Sequence, residues 1–192
     1  MSFFHNAYFL KTQQPIATVR KRFAQAEAIP NSDWIICDFG DRYQDGIFEG
    51  EEYLTQELSE EFGEVIVVAI DTSNDQLDYE HSLNGSILRK LAWLSDGCQS
   101  TWMCVEGEVE EWEKTSIFSL DNLNRTREMV RYDQNLQLLP AAEMEVKEQE
   151  LQTLWQNYQY VLNGQLPLGD ATFGMVIQDY LFPSLNQKPE NE

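Results

Sequence analysis

The chain has 192 residues and a formal net charge of −20, because 33 Asp and Glu residues outnumber 13 Lys and Arg residues. Repulsion between like charges argues against polyanionic partners, so we expect binding to neither nucleic acid nor an anionic membrane surface. With 42% hydrophobic residues the chain can bury a core, which predicts a single domain over 1–183. The polar residues 184–192 are predicted to form a disordered tail.

The cysteines and the hydropathy pattern indicate the compartment. The cysteines are Cys37, Cys98 and Cys104, and their odd number without a CxxC spacing argues against a disulfide framework or a cysteine-based zinc site. The N-terminus lacks the basic segment of a signal peptide, and no apolar run approaches the ~18 residues that cross a bilayer. We therefore expect a cytoplasmic protein without a membrane segment.

The first half of the chain alternates predicted strands and helices. Pro15 suits the first turn of a helix over 15–28, and the acidic segment 51–62 has apolar residues at helical spacing. The most apolar run, 64–71, is predicted to be a central strand that is buried on both faces. This strand–helix rhythm is typical of parallel neighbours joined by right-handed crossovers.

The dipeptide Asn84-Gly85 predicts a tight β-hairpin, since a type I′ turn requires positive φ at both central residues. In that register Glu80 faces Arg89, and the two side chains are expected to form an ion pair. Alternation along the first strand divides its residues between two faces. One face carries Leu77, Tyr79, His81 and Leu83, and the other carries Asp78, Glu80 and Ser82. This division argues against a catalytic pair of Glu80 and His81.

The second half of the chain predicts a further strand and two helices. Residues 141–164 have an apolar stripe typical of a helix that packs on a core, and a second helix begins near Asp170 and stops before Pro183. The complete pattern predicts an α+β fold, with one mixed five- or six-stranded sheet, two crossover helices and C-terminal helices packed on the sheet. The strands are expected at 7–11, 33–39, 64–71, 76–83, 86–94 and 100–105.

One block combines a hydrophobic strand, a turn with glycine and an acidic segment that ends in an aromatic–Glu pair. Its residues read VVAIDTSNDQLDYEHSLNGSILRKLAWLSDG and, further on, WMCVEGEVEEWE. In this combination residues 65–113 resemble the core of an uncharacterised bacterial protein family of unknown function. The resemblance implies a shared α+β domain. It carries over no catalytic residues, and the helices from 141 onward lie outside it.

Motifs give little support for catalysis. Phosphate-binding glycine loops, the GxSxG motif and HExxH are absent, and His5 and His81 are too few for a multi-histidine metal site. A carboxylate site remains an alternative, because Asp38 and Asp71 each close a predicted strand. If those strands were parallel neighbours, both carboxylates and Asp41 could bind Mg²⁺ and serve a hydrolase or transferase. In the competing interpretation each Asp simply starts a loop.

Two acidic segments carry most of the net charge. Residues 49–80 hold eleven acidic residues and no Lys or Arg, and 106–150 hold twelve acidic against five basic residues. Within them, 49–61 hold six acidic residues and 106–113 hold five around Trp112. If these two shorter segments lay side by side, their field would attract a basic protein partner, with Trp112 as the anchor. The predicted binding residues are Trp112, Glu108, Glu110, Glu111, Glu57 and Glu61. The competing interpretations are that the charge serves solubility and that Trp112 docks on the core.

These observations favour a non-catalytic interaction or regulatory module that needs no cofactor. The carboxylate-dependent, Mg²⁺-assisted hydrolase or transferase is the alternative. The identity of the partner or substrate and the oligomeric state stay open.

Overall fold

The computed structural model describes residues 6–38, 48–49, 52–95, 99–132, 135, 137–181 and 183. The first elements along the chain are β1 (Asn6–Lys11), α1 (Ile16–Arg22), β2 (Glu27–Ala28), β3 (Trp34–Asp38), β4 (Phe48–Glu49), β5 (Glu52–Tyr53) and α2 (Thr55–Phe62). They are followed by β6 (Glu64–Asp71), β7 (Gln76–Leu83), β8 (Ser86–Ser95) and β9 (Ser100–Gly107). The last elements are α3 (Glu111–Thr115), α4 (Leu120–Met129), α5 (Ala141–Asn157) and α6 (Phe173–Leu181).

Seven of these strands form one open sheet in the order β2-β3-β1-β6-β7-β8-β9. Every neighbouring pair in it is antiparallel, whereas β4 and β5 form a separate small hairpin. The α+β class predicted from the sequence is confirmed. The prediction of a mixed sheet with five or six strands is wrong.

The position of β1 explains the difference. β1 lies between β3 and β6 and pairs with both in antiparallel orientation. The predicted neighbours 7–11 and 33–39, which are β1 and β3, do lie side by side, but they are antiparallel because the chain passes through the short strand β2 and turns back into β3. The predicted neighbours 33–39 and 64–71, which are β3 and β6, run in the same direction, but β1 lies between them. The predicted crossovers between parallel neighbours therefore do not form in the described sheet.

A hydrophobic layer covers each face of the sheet. The first layer joins the sheet to α1 and α2 through Tyr8, Leu10, Val19, Phe23, Leu58, Phe62, Val65 and Val67. The second joins it to the C-terminal helices through Phe9, Ile66, Val68, Trp93, Trp102, Trp112, Leu151, Trp155, Phe173 and Ile177. As predicted, β6 is buried on both faces in the middle of the sheet, and the C-terminal helices pack on a sheet face.

Helix α5 ends earlier than the sequence predicts. It stops at Asn157 because Tyr158 adopts a left-handed conformation with φ of 51°, the usual geometry of a helix C-terminus. The following loop attaches to the edge strand β9. The backbone N–H of Trp102 donates to the Gly164 carbonyl at 2.9 Å, and that of Asn163 donates to the Trp102 carbonyl at 2.8 Å.

A β-bulge changes the register of the predicted hairpin. Ser82 pairs with Ile87 as the tight turn requires, but the next pair is His81 with Arg89. Leu88 is therefore an extra residue in β8, and such an insertion exchanges the two faces for every residue beyond it.

Because of this bulge, the predicted ion pair between Glu80 and Arg89 is wrong. Glu80 lies opposite Lys90, with Nζ 3.0 Å from Oε2, whereas Arg89 projects to the other face and bonds Glu113. The predicted division of β7 into two faces is confirmed, since Glu80 faces the α2 layer and His81 faces the layer of the C-terminal helices.

None of the helices in the described ranges is both long and apolar enough to cross a membrane. The predicted tail at 184–192 lies outside the described residues.

Candidate functional site

A polar pocket opens at the end of the sheet where β6 turns into β7. Its volume is about 480 Å³, within the range of small-molecule sites. The lining residues are Asn6, Tyr53, Ala69, Ile70, Asp71, Thr72, Ser73, Gln76 and Asp78. Seven of these nine side chains can form hydrogen bonds or carry charge, so the pocket is a candidate site for a polar ligand.

The antiparallel register brings the polar side chains to one face of the sheet. Ala69 pairs with Asn6 on one side and with Asp78 on the other, and Asp71 pairs with Gln76. Directly paired residues share a face, and residues two apart along a strand do so as well. Asp71 and Asp78 are therefore diagonal neighbours, a relation that typically places Cα atoms about 7–8 Å apart.

Hydrogen bonds fix the turn that carries Asp71. Its Oδ1 accepts from the backbone N–H of Ser73 at 2.8 Å, and its Oδ2 accepts from Nδ2 of Asn74 at 2.6 Å. These bonds, above all the one from Asn74, hold the pKa of Asp71 below its usual range. Asp75 at the end of the turn has a φ of 52° and accepts from Nε1 of Trp93 at 3.0 Å.

Asp78 is the more enclosed of the two pocket carboxylates. The hydroxyl of Tyr53 donates to its Oδ2 at 3.2 Å, and no other residue in the described ranges donates a hydrogen bond to it. Burial raises the pKa of Asp78 to about 6, against the lowering effects of Tyr53 and of the charge on Lys90. The carboxylate is thus mostly ionised at neutral pH and retains acceptor capacity.

Lys90, whose charge acts on Asp78, is bound to a different carboxylate. Its Nζ lies 3.0 Å from Oε2 of Glu80, a residue that is 2% exposed. The hydroxyl of Thr55 at the start of α2 donates to the other oxygen of Glu80, and the hydroxyl of Ser82 donates to Thr55 at 3.1 Å. The described residues that line the pocket include no Lys, Arg or His.

A second polar cluster lies on the opposite face of the sheet. Nδ1 of His81 is 2.6 Å from Oε1 of Glu110, and Nε2 is 3.2 Å from Oε1 of Glu64. The Tyr79 hydroxyl and the Trp112 indole donate to the other oxygen of Glu110, at 2.6 and 2.9 Å. Burial by itself lowers the pKa of His81, but the two carboxylates outweigh it and raise the pKa to about 9. A histidine that is already protonated at neutral pH suits a structural role better than that of a general base.

Arg89 and Glu113 form a buried ion pair on the same face. The guanidinium donates to both carboxylate oxygens, at 2.9 and 2.6 Å, and to the carbonyls of Glu106 and Gly107, at 3.0 and 2.8 Å. The hydroxyl of Tyr160 donates to Glu113 at 2.5 Å. These bonds lie within the protein interior, so the pair orders α3 against the sheet.

The predicted acidic surface around an exposed Trp112 is wrong. Trp112 is 1% exposed and packs edge-on against Tyr79 with ring centroids 5.1 Å apart, so it docks on the core. The helices of the segments 49–61 and 106–113, α2 and α3, lie on opposite faces of the sheet, because their buried side chains belong to different hydrophobic layers. Glu110 bonds His81, and the remaining predicted binding residues are exposed on separate faces: Glu108, Glu111, Glu57 and Glu61.

Asp38 and Asp71 do not lie on neighbouring strands. The backbone of Asp38 pairs with Ala7, which pairs on its other side with Val68, three residues before Asp71. Two inter-strand spacings of about 4.8 Å and three residues of about 3.4 Å therefore separate the two backbones. The predicted convergence at the ends of parallel neighbours is wrong because β1 intervenes. Asp41 lies outside the described residues.

Sequence reasoning missed Tyr53 and Asp78 as site residues. The signal available for Asp78 is the segment after Asp71, since an Asp side chain commonly bonds the backbone two residues further on and so starts a turn. A four-residue turn over 72–75 pairs Asp71 with Gln76 and brings Asp78 beside it. No comparable signal indicates that Tyr53 lies over this face.

Comparison with known proteins gives no match to a protein-family model, a curated protein or a solved structure. The resemblance of residues 65–113 to an uncharacterised bacterial family therefore stays a prediction. The geometry of the pocket is the basis for assigning a function.

Proposed function

We propose that this protein is a non-catalytic binding module that takes a small polar ligand in the pocket at the ends of β6 and β7. The position of Asp78 carries this proposal. Its Oδ2 accepts a hydrogen bond from Tyr53, and its Oδ1 receives none from the part of the chain that the structure describes. A carboxylate with unused acceptor capacity in an open pocket is a group that a ligand can bind.

The charge of the pocket restricts the ligand. Among the residues that the structure describes, the lining includes two carboxylates, Asp71 and Asp78, and no cationic side chain. An anionic group would be repelled by both carboxylates and by the net charge of −20. The proposal therefore favours a ligand whose bound part is neutral or positively charged.

Amide NMR of the full chain, titrated with a library of small polar compounds, tests this function. We expect a bound compound to shift the resonances of residues 69–78. Asp78→Asn should weaken binding at least tenfold, because it removes the charge of the carboxylate. Glu57→Gln, which removes one negative charge on the outer surface of α2, is the matched control and should bind as the wild type does. The proposal fails if no compound shifts these resonances or if both variants bind equally well.

An enzymatic role for the same pocket is the second candidate. It is favoured by the unequal carboxyls, since the pKa of Asp71 is held below its usual range and that of Asp78 is raised to about 6. Two carboxyls with separated pKa values are the usual arrangement of an acid and a base. The predicted hydrolase or transferase site consisted of Asp38 and Asp71. In this second candidate Asp71 is retained, and Asp78 takes the place of Asp38.

Mass spectrometry of bound compounds after incubation with the protein distinguishes binding from turnover. Product formation that is lost in both Asp71→Asn and Asp78→Asn would establish the enzyme. Recovery of unchanged compound from a protein that binds it would establish the binding module.

A basic protein partner remains a proposal for the outer face of α2 alone. Glu57, Glu60 and Glu61 are exposed there. Nη2 of Arg22 lies 3.5 Å from Oε1 of Glu57, which is a long ion pair. Pull-down from native cytoplasm at increasing salt tests the partner and the predicted cytoplasmic location together. We expect a Lys- or Arg-rich protein whose capture decreases with salt and with the Glu57→Gln/Glu61→Gln substitution. Equal capture by this variant would leave solubility as the role of the charge.

A further inference from the structure

We infer that the ligand of this pocket carries a protonated primary amine, which binds the carboxylate of Asp78 while Asp71 at the rim adds attraction. The inference rests on the proposed function and names the class of ligand that the pocket would take. Its first support is the charge of the described lining residues, which include two carboxylates and no cation. The charge of Lys90 also acts on Asp78, but its ammonium pairs with Glu80 at 3.0 Å.

An organic cation suits the pocket better than a metal ion does. Mg²⁺ and Ca²⁺ require several hard oxygen ligands held at short distances. The described residues include no group of three or more His, Cys, Asp and Glu side chains that could hold a metal. An ammonium group needs fewer charges, because it has three N–H donors that can be divided between a carboxylate and neutral acceptors. The amide side chain of Gln76 lines the same pocket and offers such an acceptor.

The hydrogen bond from Tyr53 favours an ammonium over a guanidinium group. A guanidinium binds a carboxylate best in a bidentate arrangement that uses both oxygens. At Asp78 the Tyr53 hydroxyl already donates to Oδ2 at 3.2 Å, which leaves Oδ1 as the main acceptor for a ligand. A single ammonium N–H matches that acceptor.

The two carboxylates have different roles in this arrangement. Asp71 uses both oxygens in bonds to Ser73 and Asn74 within its own turn, so its contribution to a ligand is mainly electrostatic. Asp78 has no such bonds within its strand and contacts the ligand directly. We therefore expect Asp71→Asn to weaken amine binding less than Asp78→Asn does.

The ionisation of Asp78 should make amine binding depend on pH. General attraction of an amine to an acidic protein would not give this dependence between pH 5 and pH 7. With a pKa of about 6, its ionised fraction falls about tenfold between pH 7 and pH 5. Among the described residues, the other titratable groups around it are Tyr8, Tyr53, Asp71, Glu80 and Lys90. The pKa of Asp71 is held below its usual range, and burial raises the pKa of Tyr53 above its own. Neither of these two groups changes its charge over this interval.

Matched small probes test the inference: n-butylamine, its uncharged analogue N-butylacetamide, and butyrate as the anion. Each is titrated into the full-length protein at 0.15 M salt, with amide NMR as the readout. We expect n-butylamine to shift residues 69–78, with an affinity that falls about tenfold from pH 7 to pH 5. Asp78→Asn should abolish both the shifts and the pH dependence. Glu143→Gln, which removes one exposed negative charge from the start of α5, is the control and should retain them. Tyr53→Phe keeps the charge of Asp78 and should retain the pH dependence.

The outcomes separate this inference from the proposed function. If N-butylacetamide binds as tightly as n-butylamine, with no pH dependence, the amine inference fails while the binding pocket stands. If Asp78→Asn and Glu143→Gln weaken amine binding equally, the attraction comes from net charge and the inference is overturned. If neither these probes nor the wider library shifts residues 69–78, the proposed function itself fails. The melting temperature and NMR spectrum of each free variant show whether it is folded.

Discussion

Arg89 and Glu113 meet in the interior of the protein, with Nη2 of the arginine 2.6 Å from Oε2 of the glutamate and side chains that are 1% and 0% exposed. The pair joins β8 to α3. Removing one partner would leave an uncompensated buried charge, so we expect Arg89→Met or Glu113→Gln to lower the free energy of unfolding by about 3–5 kcal/mol. Urea denaturation measures this loss.

Two controls accompany this prediction. The double variant Arg89→Met/Glu113→Leu should lose less than the sum of the single variants, since it leaves neither charge unpaired. Arg131→Met removes a half-exposed arginine that pairs with Glu128 at 2.8 Å, and it should cost less than about 1 kcal/mol. Equal losses in Arg89→Met and Arg131→Met would contradict the buried pair.

His81 should make stability depend on pH on the alkaline side. Glu110 and Glu64 raise the pKa of His81 in the folded state to about 9, from 6.5 in the unfolded chain. The stabilisation that His81 contributes to the fold is therefore fully present below pH 6.5. That contribution is lost as pH rises through about 9. At about 1.4 kcal/mol for each pKa unit, the difference between 6.5 and about 9 corresponds to a loss of about 3.5 kcal/mol between pH 6 and pH 10.

Urea denaturation of the wild type and of His81→Asn across this range checks the prediction. The variant should be less stable than the wild type at pH 6, and the two curves should converge towards pH 10. Glu111→Gln, which alters an exposed acid on α3, should change neither the slope nor the midpoint of the pH profile. If the free energy of unfolding fell equally with pH in the wild type and in His81→Asn, a group other than His81 would be responsible.

The hairpin shows how much of this fold the sequence determines. The Asn84-Gly85 turn, the alternation along β7 and the separation of Glu80 from His81 all follow from local rules. The bulge at Leu88 does not, because its cause is distant. The extra residue turns Arg89 towards Glu113 of α3, a contact 24 residues away in sequence that local rules do not include.

Some features of the candidate site also follow from local sequence rules, whereas others depend on tertiary packing. Asp71 was identifiable from the sequence because it ends an apolar strand, and Asp78 was placed on its correct face. Their proximity depends on how β6 pairs with β7, and the presence of Tyr53 depends on the packing of α2 and the short strand before it. The prediction that Asp38 and Asp71 share a site was wrong. The alternation of strands and helices along the sequence does not reveal that β1 lies between their two strands.

Trp112 should behave as a core residue. It is 1% exposed, its ring contacts Tyr79 at a centroid distance of 5.1 Å, and its indole N–H donates to Glu110. We expect Trp112→Ala to lower the free energy of unfolding by about 3–5 kcal/mol. Trp112→Phe keeps most of the volume and loses the hydrogen bond, so it should cost less. If Trp112→Ala were as stable as the wild type, Trp112 would not be a core residue, and a surface role would again have to be considered.

Gly107 and Gly85 should respond differently to the same substitution. Both have a φ of +81°, a conformation that costs an L-residue about 1–2 kcal/mol. A Cβ at Gly107 would also collide with the backbone carbonyl of Leu88, whereas a Cβ at Gly85 would meet Cγ of the exposed Glu60 at 2.6 Å. A flexible side chain can move away and a paired strand cannot, so Gly107→Ala should cost about 1–3 kcal/mol more than Gly85→Ala.

Urea denaturation of both alanine variants measures this difference, and NMR locates its origin. In Gly107→Ala we expect the largest shifts around the β8–β9 pairing and at Arg89, whose guanidinium donates to the Gly107 carbonyl at 2.8 Å. In Gly85→Ala the shifts should stay at the hairpin tip and the start of the adjoining strands. Equal destabilisation of the two variants would mean that positive φ alone sets the cost, and that the approach of Gly107 to Leu88 can relax.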